Sequence, residues 1–313
     1  MQHYFLRPAA DLYSSPWDVP GGAVSDKQNL MDTHCQVIYD MYDRLVEQHP
    51  AQVSKKTLGQ VFGLDFNQYT FRPLPLENRS DLPVKPLKLC IVTSLHGHEQ
   101  ACSWTAAHFF RLMYADKTDP VLAFLRRNVI FEVIPVANPW GFTNNQRKNA
   151  NGIDLNRNFQ EYFIYGGDPE GKYYGGAAPC TEQEIRLLMD FIAENMDAAA
   201  VLDYHNIGKG YPLIYAYQEK DTALAHSVFA TLTDKWVQEY PQFPTDRILG
   251  RIRPNGQEGM FADHLLAKGL WAITLETPWC MPDVGAEKYD AATIRCALDV
   301  LANTIYAIVS NVD

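Results

Sequence analysis

His96 and Glu99 stand three residues apart at the end of an apolar run, Leu-Cys-Ile-Val-Thr-Ser-Leu-His-Gly-His-Glu. His205 closes a second such run, Ala-Ala-Val-Leu-Asp-Tyr-His, and Glu276 ends a third, Ala-Ile-Thr-Leu-Glu. Two imidazoles and one carboxylate on strand ends supply three of the four positions around a Zn²⁺ ion, and water takes the last. A structural zinc has all its positions filled by protein, so an open position points to hydrolytic chemistry at one metal ion per chain. The chain has nine histidines, and a His-x-x-Glu pair arises easily by chance. The surrounding elements decide whether the pair counts.

Those elements follow from hydrophobic patterning. Apolar runs at 88–94, 129–136, 199–204, 211–216 and 270–276 predict strands, and weak alternation over 53–75 predicts one or two more. Met31, Cys35, Ile38, Tyr42 and Leu45 form one face of a helix that stops near His49-Pro50. Helices are also predicted from Glu99 to Met113, at 119–127, at about 221–240, and at the end of the chain, where Ile294, Leu298, Leu301, Ile305 and Ile308 share a face. Thr181-Glu182-Gln183-Glu184 reads as a capping box opening a further helix with Ile185, Leu188, Met189, Ile192 and Met196 on one side. Residues 1–26 read as an irregular lead-in, and 27–313 as a single domain. Continuous apolar strands alternating with amphipathic helices predict an α/β fold, a largely parallel sheet covered on both faces. Such sheets bind ligands beyond the carboxyl ends of their strands, where His96, His205 and Glu276 fall.

Composition narrows the partners. Of 313 residues, 47% are hydrophobic and 20% charged, as in an ordinary globular protein. A formal charge of −10 argues against nucleic acid or an anionic membrane as a general partner. No run reaches the roughly 18 apolar residues of a membrane span, and Met-Gln-His-Tyr-Phe-Leu-Arg-Pro lacks the pattern of a signal peptide. Six cysteines, far apart and without C-x-x-C pairs, read as buried free thiols in a reducing cytoplasm. No feature of the sequence sets an oligomeric state.

Between Glu99 and His205 lie Asn138-Pro139-Trp140-Gly141, then Arg147, then Asp154-Leu155-Asn156-Arg157-Asn158-Phe159. In this order, with the strand-terminal His205 and Glu276, the sequence resembles the zinc carboxypeptidases (funnelin metallopeptidases) over roughly residues 27–310. The resemblance implies a mixed, mostly parallel eight-stranded twisted sheet flanked by helices. It implies zinc held by His96, Glu99 and His205, Glu276 as general base, Arg147 at the oxyanion, and Asn156 and Arg157 on a terminal carboxylate. Asp154 would hydrogen-bond the first zinc histidine from behind. The implied reaction is hydrolysis of a C-terminal peptide bond. The chemistry agrees: a guanidinium keeps its charge throughout a reaction and grips a carboxylate with two parallel hydrogen bonds.

The nearest alternative is hydrolysis of small N-acyl amino acids, as in the related succinylglutamate desuccinylase and aspartoacylase group. A non-catalytic binding protein on the same fold would lack a ligand or the base, and none is missing here. Three positions depart from the digestive members of the family. His98 stands where they have an arginine, their mobile tyrosine has no counterpart in 251–263, and Ala262 lies near the position that sets side-chain preference. The loop 160–180, with Tyr162, Tyr165, Tyr173 and Tyr174, reads either as an aromatic lid or as a mobile surface segment.

Overall fold

The computed structural model describes residues 34–73, 86–115, 119–207, 212–217, 221, 223–226, 228, 251–252, 258–278 and 291–310. The expected lead-in at 1–26 lies outside these residues, as does most of the helix expected at 221–240.

The first element among the described residues is helix α1 (Gln36–Gln48), which buries Ile38, Tyr42 and Leu45 of the predicted face together with Tyr39, while Met31 of that face lies outside the described residues. A hairpin follows, β1 (Val53–Val61) and β2 (Leu64–Phe71), then β3 (Leu87–Thr93), α2 (Gln100–Ala115), α3 (Pro120–Asn128) and β4 (Val129–Ile134). The short α4 (Pro139–Thr143) and a 3-10 turn (Leu155–Arg157) lead to α5 (Gln183–Glu194). Strands β5 (Ala200–Ile207), β6 (Leu213–Ala216) and β7 (Arg251–Ile252), helix α6 (Phe261–Ala267), β8 (Ala272–Pro278) and α7 (Ala291–Ser310) complete the order.

Among the described residues the eight strands form one sheet in the order β1-β2-β4-β3-β5-β8-β6-β7. Its centre, β4-β3-β5-β8, is parallel, while the β1/β2, β2/β4 and β6/β8 pairs are antiparallel. Successive strand residues face opposite sides of a sheet, so the central strands feed two cores. Leu89, Ile91, Leu202 and Ile273 pack with α1, α2, α3 and α7 on one face. Cys90, Val92, Val201 and Ala272 pack with Ile185, Leu188 and Phe191 of α5 and with Phe261 and Leu265 of α6 on the other. This is the α/β sheet covered on both faces that the apolar runs predicted, in the mixed, eight-stranded form that the resemblance implied. No helix among the described residues is long and apolar enough to cross a membrane.

The expected capping box does not form. The N-cap of α5 is Glu182, without a side-chain capping bond, and the Thr181 hydroxyl donates to Glu182 Oε1 at 2.9 Å. Tertiary partners outcompete the local motif: the side-chain amides of Asn149 and Asn151 donate to Glu182 Oε2 at 2.7 and 2.8 Å. Glu184, the expected reciprocal partner, is instead buried against the Asn149 amide at 3.2 Å, and burial pushes its carboxyl up to about 7.

Candidate metal centre and active site

Register builds the first half of the site. Asp203 and His205 on β5 pair with Thr274 and Glu276 on β8. They share the face of Val201 and Ala272, which lies towards α5 and α6. His205 and Glu276 are thus neighbours near the carboxyl ends of two parallel strands, with the Asp203–Thr274 row behind them.

His96 reaches them through a strained turn. Ser94, immediately after β3, has φ 51°, a region that non-glycine residues rarely occupy. Its hydroxyl donates to the Glu99 carbonyl at 3.0 Å, which holds the turn closed. Gly97 packs so tightly on the Asn138–Gly141 turn that a Cβ would come within 2.1 Å of the Gly141 carbonyl carbon. That turn is the start of α4, where Asn138 Oδ1 accepts the Gly141 N–H at 2.8 Å and Pro139 opens the helix.

These elements converge on a buried cluster. His96 Nδ1 lies 2.8 Å from Glu99 Oε1, and His205 Nδ1 lies 2.8 Å from Glu99 Oε2. One ligand atom from each of the three residues falls within 4.8 Å of the other two. Two imidazole nitrogens and a carboxylate aimed at one point, all buried, are a donor set that suits zinc. Behind each histidine stands a second carboxylate. Asp154 Oδ1 is 3.3 Å from His96 Nε2, the neighbour expected from the sequence, and Asp203 Oδ1 is 2.8 Å from His205 Nε2. Asp203 was not anticipated, although an Asp-x-His pair on a strand places both side chains on one face.

Loops build the second half. Arg147 meets Asp154 Oδ2 through Nε at 3.0 Å and Nη2 at 2.9 Å, with Nη1 3.3 Å from His96 Nδ1. Asn156 Oδ1 accepts the Phe261 N–H at 2.8 Å, tying the 3-10 turn to α6. Arg157 contacts the Asn156 carbonyl at 2.6 Å and Glu258 Oε2 at 2.8 Å. A cavity of about 740 Å³ is lined by the cluster together with Glu276, Arg147, Asn156, Arg157, His98 and Ala262. It thus collects every residue to which the resemblance gave a role except Asp154, which stands behind His96, together with Tyr173 of the loop 160–180, and it adds Asp203 and Lys172.

The electrostatics follow the packing. Burial alone would raise the Glu99 carboxyl, but the two histidines outweigh it and hold it well below the usual range. Burial disfavours the charged form of His205, yet Asp203 and Glu99 keep its pKa well above the ordinary value. Asp154 is held low against its own burial by His96 and Arg147. Glu276 is pushed the other way, to about 7, by burial and then by the Glu99 charge. Burial lowers His98 to about 4, so it lines the cavity as a neutral imidazole near pH 7.

Comparison with known proteins identifies the family and the fold. Carboxypeptidase A2 of Mus musculus is 25% identical over 199 residues, covering 58% of this chain and 46% of the relative. Carboxypeptidase A1 of Homo sapiens is 28% identical over 200 residues, with the same coverage of 58% and 46%. The chain thus spans about half the length of the curated relatives it matches. The fold is similar to that of carboxypeptidase A from Helicoverpa armigera, with a TM-score of 0.67 at 21% identity over 89% of this chain and 73% of that one. Bovine thrombin-activatable fibrinolysis inhibitor gives a TM-score of 0.67 at 18% identity, over 91% and 98% of the two chains. A family model described as zinc carboxypeptidase matches residues 38–268, well over half of the sequence. With that match spanning β1 through α6 and including the His-x-x-Glu pair, the chain belongs to the zinc carboxypeptidase family.

Proposed function

We propose that this protein is a metallocarboxypeptidase that removes the C-terminal residue of a peptide with a free carboxylate. The observation that supports it is the convergence of the His96–Glu99–His205 cluster, Glu276 and two arginines on one cavity. His96, Glu99 and His205 would hold the family's zinc, which when bound supplies Lewis acidity and an acidified water. Glu276 takes the proton of the attacking water and returns it to the leaving amine. Arg147, fixed by Asp154, stabilises the charge that develops on the carbonyl oxygen. Asn156 and Arg157 hold the terminal carboxylate and so set the distance of the scissile bond from the cluster. Asp154 and Asp203 fix the ring orientation of the two histidines.

Cys35, Cys90, Cys102 and Cys180 are free thiols, the first three of them buried, which supports a reducing compartment such as the cytoplasm. The test of the reaction is zinc-loaded protein offered N-acylated dipeptides and N-acetyl or N-succinyl amino acids side by side. Peptides are the expected substrates. A preference of about tenfold or more in kcat/KM for the acyl amino acids, on the order of 1.4 kcal/mol, would assign the site to deacylation instead.

A further inference from the structure

We propose that Tyr173 is a positioning residue that couples Arg147 to Arg157 and thereby sets the preference for a free terminal carboxylate. This rests on the reading of the site given above. The ring centroid of Tyr173 lies 5.2 Å from Arg147 Cζ and 5.2 Å from Arg157 Cζ. Lys172 Nζ is a third cation at 5.2 Å from the same ring. Three positive charges around one cavity wall repel one another, and the negative face of an aromatic ring placed among them offsets that repulsion.

The same contact fixes the direction of each guanidinium. Arg147 is gripped at one edge by Asp154, and Arg157 is held by the Asn156 carbonyl and Glu258. A ring packed against both restricts rotation about those edges. A planar guanidinium so restrained can present its remaining N–H groups along one direction. Tyr173, Arg147 and Arg157 all line the cavity.

The backbone holds Tyr173 there although 57% of the residue is exposed. Tyr174 O accepts the Asp154 N–H at 2.8 Å, and Gly175 O accepts the Asn158 side-chain amide at 2.6 Å. A Cβ on Gly175 would stand 2.2 Å from the Arg157 carbonyl oxygen, so only glycine permits this approach. The residues flanking Tyr173 are thus stitched to the segment that bears Arg157 and the carboxylate that orients Arg147. This part of the loop 160–180 is a wall of the site, not a free surface segment.

The contact uses the face of the ring, which phenylalanine keeps and leucine lacks. The experiment is calorimetric binding of N-acetyl-L-phenylalanine and of its amide to zinc-loaded protein, for wild type, Tyr173→Phe and Tyr173→Leu. Wild type and Tyr173→Phe are expected to share one acid-over-amide ratio. Tyr173→Leu is expected to lose about three- to tenfold in affinity for the acid and little for the amide. In hydrolysis it should raise KM through the loosened Arg157 and also lower kcat through the loosened Arg147. An unaltered ratio in Tyr173→Leu would overturn the proposal, and so would a Tyr173→Phe variant as impaired as Tyr173→Leu. If wild type hydrolyses no peptide, the proposed reaction fails, while the binding ratios still decide the role of Tyr173.

Discussion

His205 and Glu276 occupy paired positions on adjacent parallel strands, whereas Arg147 and Tyr173 stand on loops and Arg157 ends the short 3-10 turn between them. The strand-borne side chains are aimed by sheet register, which a buried sheet specifies strongly because a one-residue slip would turn every side chain to the other face. The loop-borne side chains are aimed by the hydrogen bond Arg147 donates to Asp154, by the one Asn158 donates to the Gly175 carbonyl, and by a glycine with no room for a side chain. His205 and Glu276 thus inherit the rigidity of the core, and His96 and Glu99 join them from the turn after β3 that the Ser94 hydroxyl holds closed. The half that would meet the substrate depends on a few local contacts, and those can change without disturbing the fold.

Separate substitutions in each half break or sharpen this contrast. The largest effect is expected at Glu276→Gln, which should lower kcat about a hundredfold or more while zinc content stays at wild-type level. Loss of the metal as well would mean that Glu276 belongs to the binding cluster. Asp203→Asn should weaken zinc affinity about ten- to a hundredfold, measured by competition with a chelator, and leave the acid-over-amide binding ratio unchanged. Gly175→Ala should do the reverse. Its Cβ forces the loop off Arg157 at a cost of about 1–3 kcal/mol in chemical unfolding, raises KM, and spares zinc affinity. A Gly175→Ala protein with weakened zinc binding would show that the two halves are not separable.

The smallest effect concerns the support beneath the loop. Burial raises the Glu184 carboxyl to about 7. The fold therefore favours the neutral form, and the stability this contributes is complete below the ordinary carboxyl pKa of about 4.3. It is lost as pH rises through about 7. Glu184→Gln should remove that loss, so its unfolding free energy relative to wild type should increase between pH 5 and pH 8 by about 1–3 kcal/mol. Parallel pH profiles for the two proteins would contradict the assignment.

The sequence and the structure agree most closely where periodicity and position carry the information. The apolar runs locate β3, β4, β5, β6 and β8, and their carboxyl ends bring His96, His205 and Glu276 into one cavity. Arg147, Asn156 and Arg157 were legible only through the family resemblance, because a polar loop has no period to read. Asp203 had a local signal, its two-residue offset from His205 on a strand, that went unused. Tyr173 was legible only as one of four tyrosines in a loop open to two readings, since it meets its arginines through backbone stitching between distant segments. The capping box at Thr181 failed because Asn149 and Asn151, some thirty residues upstream, recruit Glu182. Local propensity yields to tertiary hydrogen bonds when the competing groups are buried together.

The account depends on His96, Glu99 and His205 sharing one ion. Zinc titration of metal-stripped wild type and His205→Ala, followed by competition with a chromogenic chelator, tests this most directly. One tight equivalent per wild-type chain is expected, with affinity reduced by orders of magnitude in the variant. A wild-type chain that takes up no zinc, or a His205→Ala chain that binds it equally well, would contradict the central claim.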